Sequence, residues 1–169
     1  MLHKLEQNDL YLKPEKCNFK KKEINYLGVI VRNGKIQMDP KKLNGTADWP
    51  ISRNPTDIRK FLGFTGYYRY FIQGYSKIAR PLLDLTKKAV MWHWGEQQHK
   101  AFEELKMCMC SRPVLTQPNF NKPFFLQTDA SAYGMGAILL QEGEHHAVTS
   151  QKPKLHPIAY YSATFTPTE

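Results

Sequence analysis

Residues 24–38 read Ile24-Asn25-Tyr26-Leu27-Gly28-Val29-Ile30-Val31-Arg32-Asn33-Gly34-Lys35-Ile36-Gln37-Met38. Ile24 to Val31 is rich in β-branched and aromatic residues, which suit a pleated, half-buried surface. Ile36-Gln37-Met38 is a second run of the same kind. The Asn33-Gly34 pair between them is the strongest short hairpin signal, because both central positions of the tight turn require positive φ. The expectation is a β-hairpin with one strand on each side of Asn33-Gly34.

On the N-terminal side, Leu2, Leu5 and Leu10 suggest a short amphipathic helix. Lys13, Lys16, Lys20, Lys21 and Lys22 then surround Cys17 and Phe19. On the C-terminal side, Asp39-Pro40 opens a short helical stretch ending near Trp49-Pro50. Asn54-Pro55-Thr56-Asp57 is a helix start: Asn54 caps, Pro55 suits the first turn, and Asp57 complements the helix dipole. Apolar positions follow at Ile58, Phe61, Leu62, Thr65, Tyr68 and Ile72, with helical spacing. A second helix is expected around residues 78–85. A third runs from Glu96 to Met109, with Phe102, Leu105 and Met109 on one face. Trp92 and Trp94 precede it as a packed anchor rather than a stacking platform. Prolines 113, 118 and 123 mark a linker, beyond which the period changes. Residues 124–129, 135–141 and 157–162 read as three strands of an antiparallel meander. Thr166-Pro167-Thr168-Glu169 looks like the start of another helix, and His145-His146 like an exposed loop.

The chain has 169 residues, 41% apolar and 23% charged, enough for a substantial core and against wholesale disorder. No run approaches the roughly 20 apolar residues of a membrane helix, and no basic stretch leads into an apolar one, so neither a membrane partner nor a signal peptide is expected. The net charge of +9 is unevenly spread. Residues 1–60 carry 13 basic and 7 acidic groups, residues 61–121 carry 8 and 4, and residues 122–169 carry 3 and 4. The surplus lies wholly in the first 121 residues, which points to a polyanion: nucleic acid is the partner expected, and an anionic membrane surface, second on charge alone, is not. A merely solvated basic face is the alternative. Cys17, Cys108 and Cys110 form no Cys-x-x-Cys pattern, which supports neither a disulfide framework nor a zinc site and fits a reducing intracellular setting.

Several segments in order resemble the Pol polyprotein of Gypsy-type LTR retrotransposons, from the end of the reverse transcriptase into the RNase H domain. They are Leu10-Tyr-Leu-Lys-Pro-Glu-Lys-Cys17-Asn-Phe19, Tyr26-Leu27-Gly28, Phe61-Leu62-Gly63 with Tyr67-Tyr68-Arg69-Tyr70-Phe71-Ile72, Ile78-Ala-Arg-Pro-Leu82, Ala101-Phe-Glu-Glu-Leu105, Pro113-Val-Leu115, and Thr128-Asp129-Ala130-Ser131 with Gly134-x-Gly136-Ala137. The resemblance implies an α+β chain: residues 1–50 as the C-terminal part of the palm, 51–117 as the helical thumb, and 118–169 as the first three antiparallel strands of an RNase H-like fold.

The same resemblance implies the site. Tyr26 and Gly28 match the primer grip, where a rigid hairpin with close backbone approach holds a 3′ end. Read alone, Gly28 simply lets the strand pack tightly. Arg59, Gly63 and Tyr67, four apart, form one track along the helix. By spacing alone, Gly63 and Gly66 serve either helix packing or a groove. The resemblance implies a thumb helix along the minor groove of a template–primer duplex or RNA–DNA hybrid, helped by Lys20, Lys21 and Lys22. Tyr70 stands where the family usually carries a second Arg, which removes one phosphate contact. Asp129 matches the first RNase H carboxylate, a ligand for Mg²⁺.

The other carboxylates of both active sites are expected in flanking parts of the polyprotein, N-terminal to Met1 and C-terminal to Glu169. One carboxylate does not hold two metal ions, so duplex contact without turnover is expected. A non-catalytic binding module and an inert remnant are the alternatives. The remnant would leave the last three strands with open edges and an exposed apolar face.

Overall fold

In the computed structural model, which describes residues 2–143 and 154–165, residues 23–38 make three strands and two tight turns, not two strands and one. Strands β1 (Glu23–Tyr26), β2 (Val29–Arg32) and β3 (Lys35–Met38) pair antiparallel in order. The second turn is the expected one, with Asn33 and Gly34 at φ 48° and 70°. The first corrects the expected continuous strand over residues 24–31. Leu27 and Gly28 adopt φ 47° and 83°, so the chain reverses between Tyr26 and Val29. Leucine carries no turn signal, and an apolar run hides a turn that only Gly28 eases.

A further strand, β4 (Val114–Thr116), lies where a linker was expected. It pairs antiparallel with β3, Leu115 opposite Ile36, and Gln117 N–H donates to the Gly34 carbonyl at 2.7 Å. Prolines 113 and 118 frame a strand too short to show a period, yet it buries Leu115.

The helices follow their caps and apolar spacing. Helix α1 (Leu2–Glu6) buries no residue. Helix α2 (Pro40–Leu43), capped by Asp39, is shorter than expected, since Asn44 leaves helical geometry and Gly45 turns to φ 88°. Helix α3 (Pro55–Tyr67) starts as its sequence dictates: Asp57 N–H donates to Asn54 Oδ1 at 3.0 Å, and Asn54 Nδ2 donates back to Asp57 Oδ2 at 2.9 Å. Ile58, Phe61, Leu62, Thr65, Tyr68 and Ile72 are all buried. Helix α4 (Tyr75–Asp84) follows Gly74, and helix α5 (Glu96–Cys110) has its first backbone N–H groups met partly by Gln98 reaching back to Gly95. Phe102, Leu105 and Met109 of α5 are fully buried. Trp92 and Trp94 pack on this core, Trp94 edge-on to Phe102 at 5.7 Å.

The meander forms as expected: β5 (Phe125–Ser131), β6 (Gly134–Glu142) and β7 (Leu155–Thr164), antiparallel in that order. A bulge between Leu139 and Leu140 accommodates Pro157, which has no N–H to give the ladder. Buried Gln141 anchors this sheet to the preceding chain. Its Oε1 accepts from Asn119 N–H at 2.9 Å, and its Nε2 donates to the carbonyls of Asn119 and Lys122. The sheets do not stand apart from the helices. Met38 and Leu115 of the first sheet, Phe61, Ala79, Leu82 and Phe102 of the helices share one core, and Tyr160 of β7 packs on it.

The outer strand β5 is exposed along its length. On the other side of the sheet, β7 meets the start of α4: Ser76 N–H donates to Ser162 Oγ at 2.9 Å, and Ser76 Oγ donates to the Ser162 carbonyl at 2.7 Å. His145-His146 and Thr166–Glu169 lie outside the described residues.

Candidate nucleic-acid interface

The β1–β2 turn and the end of α3 form one unit. Tyr67 hydroxyl donates to the Leu27 carbonyl, and Tyr68 hydroxyl donates to the Gly28 carbonyl at 3.1 Å. The two rings meet edge-to-face at 4.9 Å. Burial, more than the neighbouring Tyr67 and Asp39, pushes the Tyr68 phenol above its ordinary 10.0, so it stays a neutral donor. Asp39 N–H closes the loop on the Gly28 carbonyl from the other side, at 2.9 Å. Tyr68 is the residue that spacing alone missed: it reads as a core position, and its hydroxyl's partner lies forty residues upstream.

Around this buttress the surface is open. Tyr26 and Leu27 are exposed at the hairpin tip, and Tyr67 keeps about half its surface in solvent, at 53%. Lys20, Lys21 and Lys22 are exposed and form no ion pair among the described residues. Arg59 is exposed but not idle, since its guanidinium donates to the Thr86 carbonyl at 3.1 Å and ties α3 to the end of α4.

The two helix glycines differ. A Cβ built on Gly66 would lie 3.3 Å from the Tyr75 hydroxyl, which places Gly66 in internal packing. A Cβ built on Gly63 meets no heavy atom within 4 Å. Nothing among the described residues packs on Gly63, so helix packing accounts for one glycine and not the other.

Asp129 lies on β5 opposite Gly136, which in turn faces Ser162 of β7. It borders a cavity of about 530 Å³ with Lys77, Arg80, Ser131 and Tyr133. Arg80 sits 5.7 Å from the Tyr133 ring centre. No group of three or more His, Cys, Asp or Glu side chains gathers there or elsewhere among the described residues. A lone carboxylate with a hydroxyl beside it does not fit a two-metal centre, which needs several oxygen ligands.

A family model for the RNase H-like domain found in reverse transcriptase matches residues 94–169. The chain is 40% identical to the retrovirus-related Pol polyprotein from transposon 297 of Drosophila melanogaster, over 95% of its own length and 14% of that protein. It is 32% identical to the transposon Tf2-3 polyprotein of Schizosaccharomyces pombe, over 96% of its length and 12% of that protein. The fold is similar to that of a foamy viral protease–reverse transcriptase solved in complex with RNA/DNA hybrid, with a TM-score of 0.72 at 21% identity over 92% of this chain and 20% of the other. A second foamy viral structure, solved with dsDNA, gives a TM-score of 0.68 at 21% identity over 88% of this chain and 29% of the other.

Proposed function

From an RNase H-like domain of the reverse transcriptase kind at residues 94–169 and homologues that are retrotransposon Pol polyproteins, we propose that this chain is a duplex-holding part of a Gypsy-type reverse transcriptase–RNase H. Residues 1–50 then serve as palm edge, 51–117 as thumb and connecting helices, the last of which, α5, falls within the family match, and 118–169 as the opening strands of RNase H. The partner is a template–primer duplex or RNA–DNA hybrid, the kind of ligand that the foamy viral structures carry. The parent activity is RNA-directed DNA synthesis with cleavage of the RNA in the hybrid, and Mg²⁺ is its metal.

The carrying observation is Gly63. A glycine in a helix interior costs about 1 kcal/mol relative to alanine. Here no internal contact offsets that cost. A bare backbone strip between Arg59 and Tyr67 instead admits a sugar–phosphate ridge from outside. Tyr67 offers an aromatic edge, and Arg59 places charge beside the strip. Tyr26 and Gly28 sit at a hairpin tip buttressed by Tyr67 and Tyr68, a rigid support for a primer end. Lys20, Lys21 and Lys22, just before β1, supply unpaired charge at the other end of that strand. Each residue positions; none performs chemistry, because Asp129 alone completes no metal site.

Salt dependence tests this reading. Anisotropy of a labelled RNA–DNA hybrid should show log affinity falling linearly with log salt. Replacing Lys20, Lys21 and Lys22 together by Ala should lower that slope by up to about 3 units, near 0.9 for each phosphate no longer neutralised. An unchanged slope would mean that these lysines form a solvated face with no partner.

A further inference from the structure

We propose that Arg69, Tyr70 and Tyr161 form a second nucleic-acid contact, at the seam between the helices and the β5–β7 sheet, that takes the sugar–phosphate backbone of the same duplex. It rests on the duplex reading of α3 and extends it to residues which that reading leaves out.

The patch is built by two regions far apart in sequence. After α3 a single 3-10 turn, Arg69–Phe71, runs against β7. Arg69 and Tyr70 share a cleft with Tyr160, Tyr161 and Ser162. The Ser76–Ser162 hydrogen bonds fix β7 against the start of α4. The seam is therefore held by backbone and hydroxyl contacts, leaving the larger side chains free to face outward.

Those side chains are unusual for a mere packing seam. Tyr70 and Tyr161 remain 46% and 50% exposed. Arg69 is exposed and has no carboxylate partner among the described residues. It is nonetheless ordered: its guanidinium donates to the Tyr70 hydroxyl at 3.1 Å and lies 5.1 Å from that ring's centre. A guanidinium held by a ring, with its charge not met by an acid, is prepared for an anion. Two half-exposed phenol rings beside it match the sugar edges that flank each phosphate. A protein partner with acidic side chains would satisfy the guanidinium but would leave the rings without flat counterparts.

The patch begins two residues beyond Tyr67, the last residue of α3. In the chain it follows the track directly and leads to the seam with β7. Tyr70 replaces the second Arg of the resembled motif. In place of that second charge stand a ring that orders Arg69 and, across the seam, Tyr161.

The test is anisotropy of a hybrid of about 18 base pairs, roughly 60 Å at about 3.4 Å per step and longer than α3. Arg69→Gln and Tyr161→Ala should each weaken binding by about tenfold, with unchanged thermal melting. Tyr161→Phe, which keeps the ring, should bind within about twofold of the parent chain. Gly63→Leu serves as the reference for the α3 track. If Gly63→Leu weakens binding while Arg69→Gln and Tyr161→Ala do not, the second contact is overturned and the α3 reading stands. If Gly63→Leu also has no effect, the α3 reading falls and the extension falls with it. Should Tyr161→Ala fail to fold, photocrosslinking of the parent chain to a 5-iodouracil-substituted hybrid decides. Adducts at Tyr70 or Tyr161 support the contact, and adducts confined to residues 20–67 refute it.

Discussion

Replacing Phe102 by Ala should remove about 3–5 kcal/mol of stability. For a domain with a total of about 5–15 kcal/mol, that is a large share. Phe102 is fully buried in α5. Its ring lies 4.4 Å from that of Phe61 in α3 and 5.7 Å from that of Trp94, and Lys106 reaches over it at 5.2 Å. These neighbours belong to separate elements joined by one core, so the cavity left by truncation is not readily closed by a single shift. Because Met38, Leu115 and Tyr160 pack on the same core, the loss should appear in every probe. Urea unfolding followed by tryptophan fluorescence and by far-ultraviolet circular dichroism should shift together. A loss confined to the fluorescence signal would show that the sheets fold without this core.

Replacing Gly28 by Ala should cost about 2–3 kcal/mol. The first part is conformational, since φ of 83° penalises any Cβ by about 1–2 kcal/mol. The second part is steric: the new Cβ would stand 2.9 Å from the Tyr68 hydroxyl oxygen. Tyr68 must move, and its 3.1 Å hydrogen bond to the Gly28 carbonyl weakens. Gly34→Ala is the control. It sits at φ 70° in the neighbouring turn with no atom within 4 Å of its Cβ, so it carries the conformational part alone. Urea denaturation of the two variants should therefore separate by about 1 kcal/mol, with Gly28→Ala the worse. Equal losses would mean that Tyr68 does not brace the hairpin tip.

How much of this the sequence revealed depends on the range of the forces involved. Asn33-Gly34 and Asn54-Pro55-Thr56-Asp57 act within three or four residues, and the turn and the helix start form as expected. The buried positions of α3 and α5 follow from spacing for the same reason. The Leu27-Gly28 turn was hidden because Leu27 sits in a left-handed conformation that its side chain opposes, held there by Tyr67 and Tyr68 from forty residues away. Strand β4 was hidden because three residues carry no period, and its partner β3 lies far upstream. The helix glycines show the limit most clearly. Gly63 and Gly66 read alike in the chain, yet only Gly66 meets an internal neighbour, Tyr75.

That difference gives the most direct measurement: the stability and the hybrid affinity of Gly63→Ala, taken side by side. With no atom near the new methyl group, the substitution should stabilise the fold by about 0.5–1 kcal/mol. If the bare strip of α3 seats a duplex, the same methyl group should weaken RNA–DNA hybrid binding severalfold, and Gly63→Leu by more than about tenfold. Opposite signs for stability and affinity are the predicted result. A stabilised chain that binds hybrid as tightly as its parent would contradict duplex seating on the bare strip, and α3 would not be the duplex-facing helix.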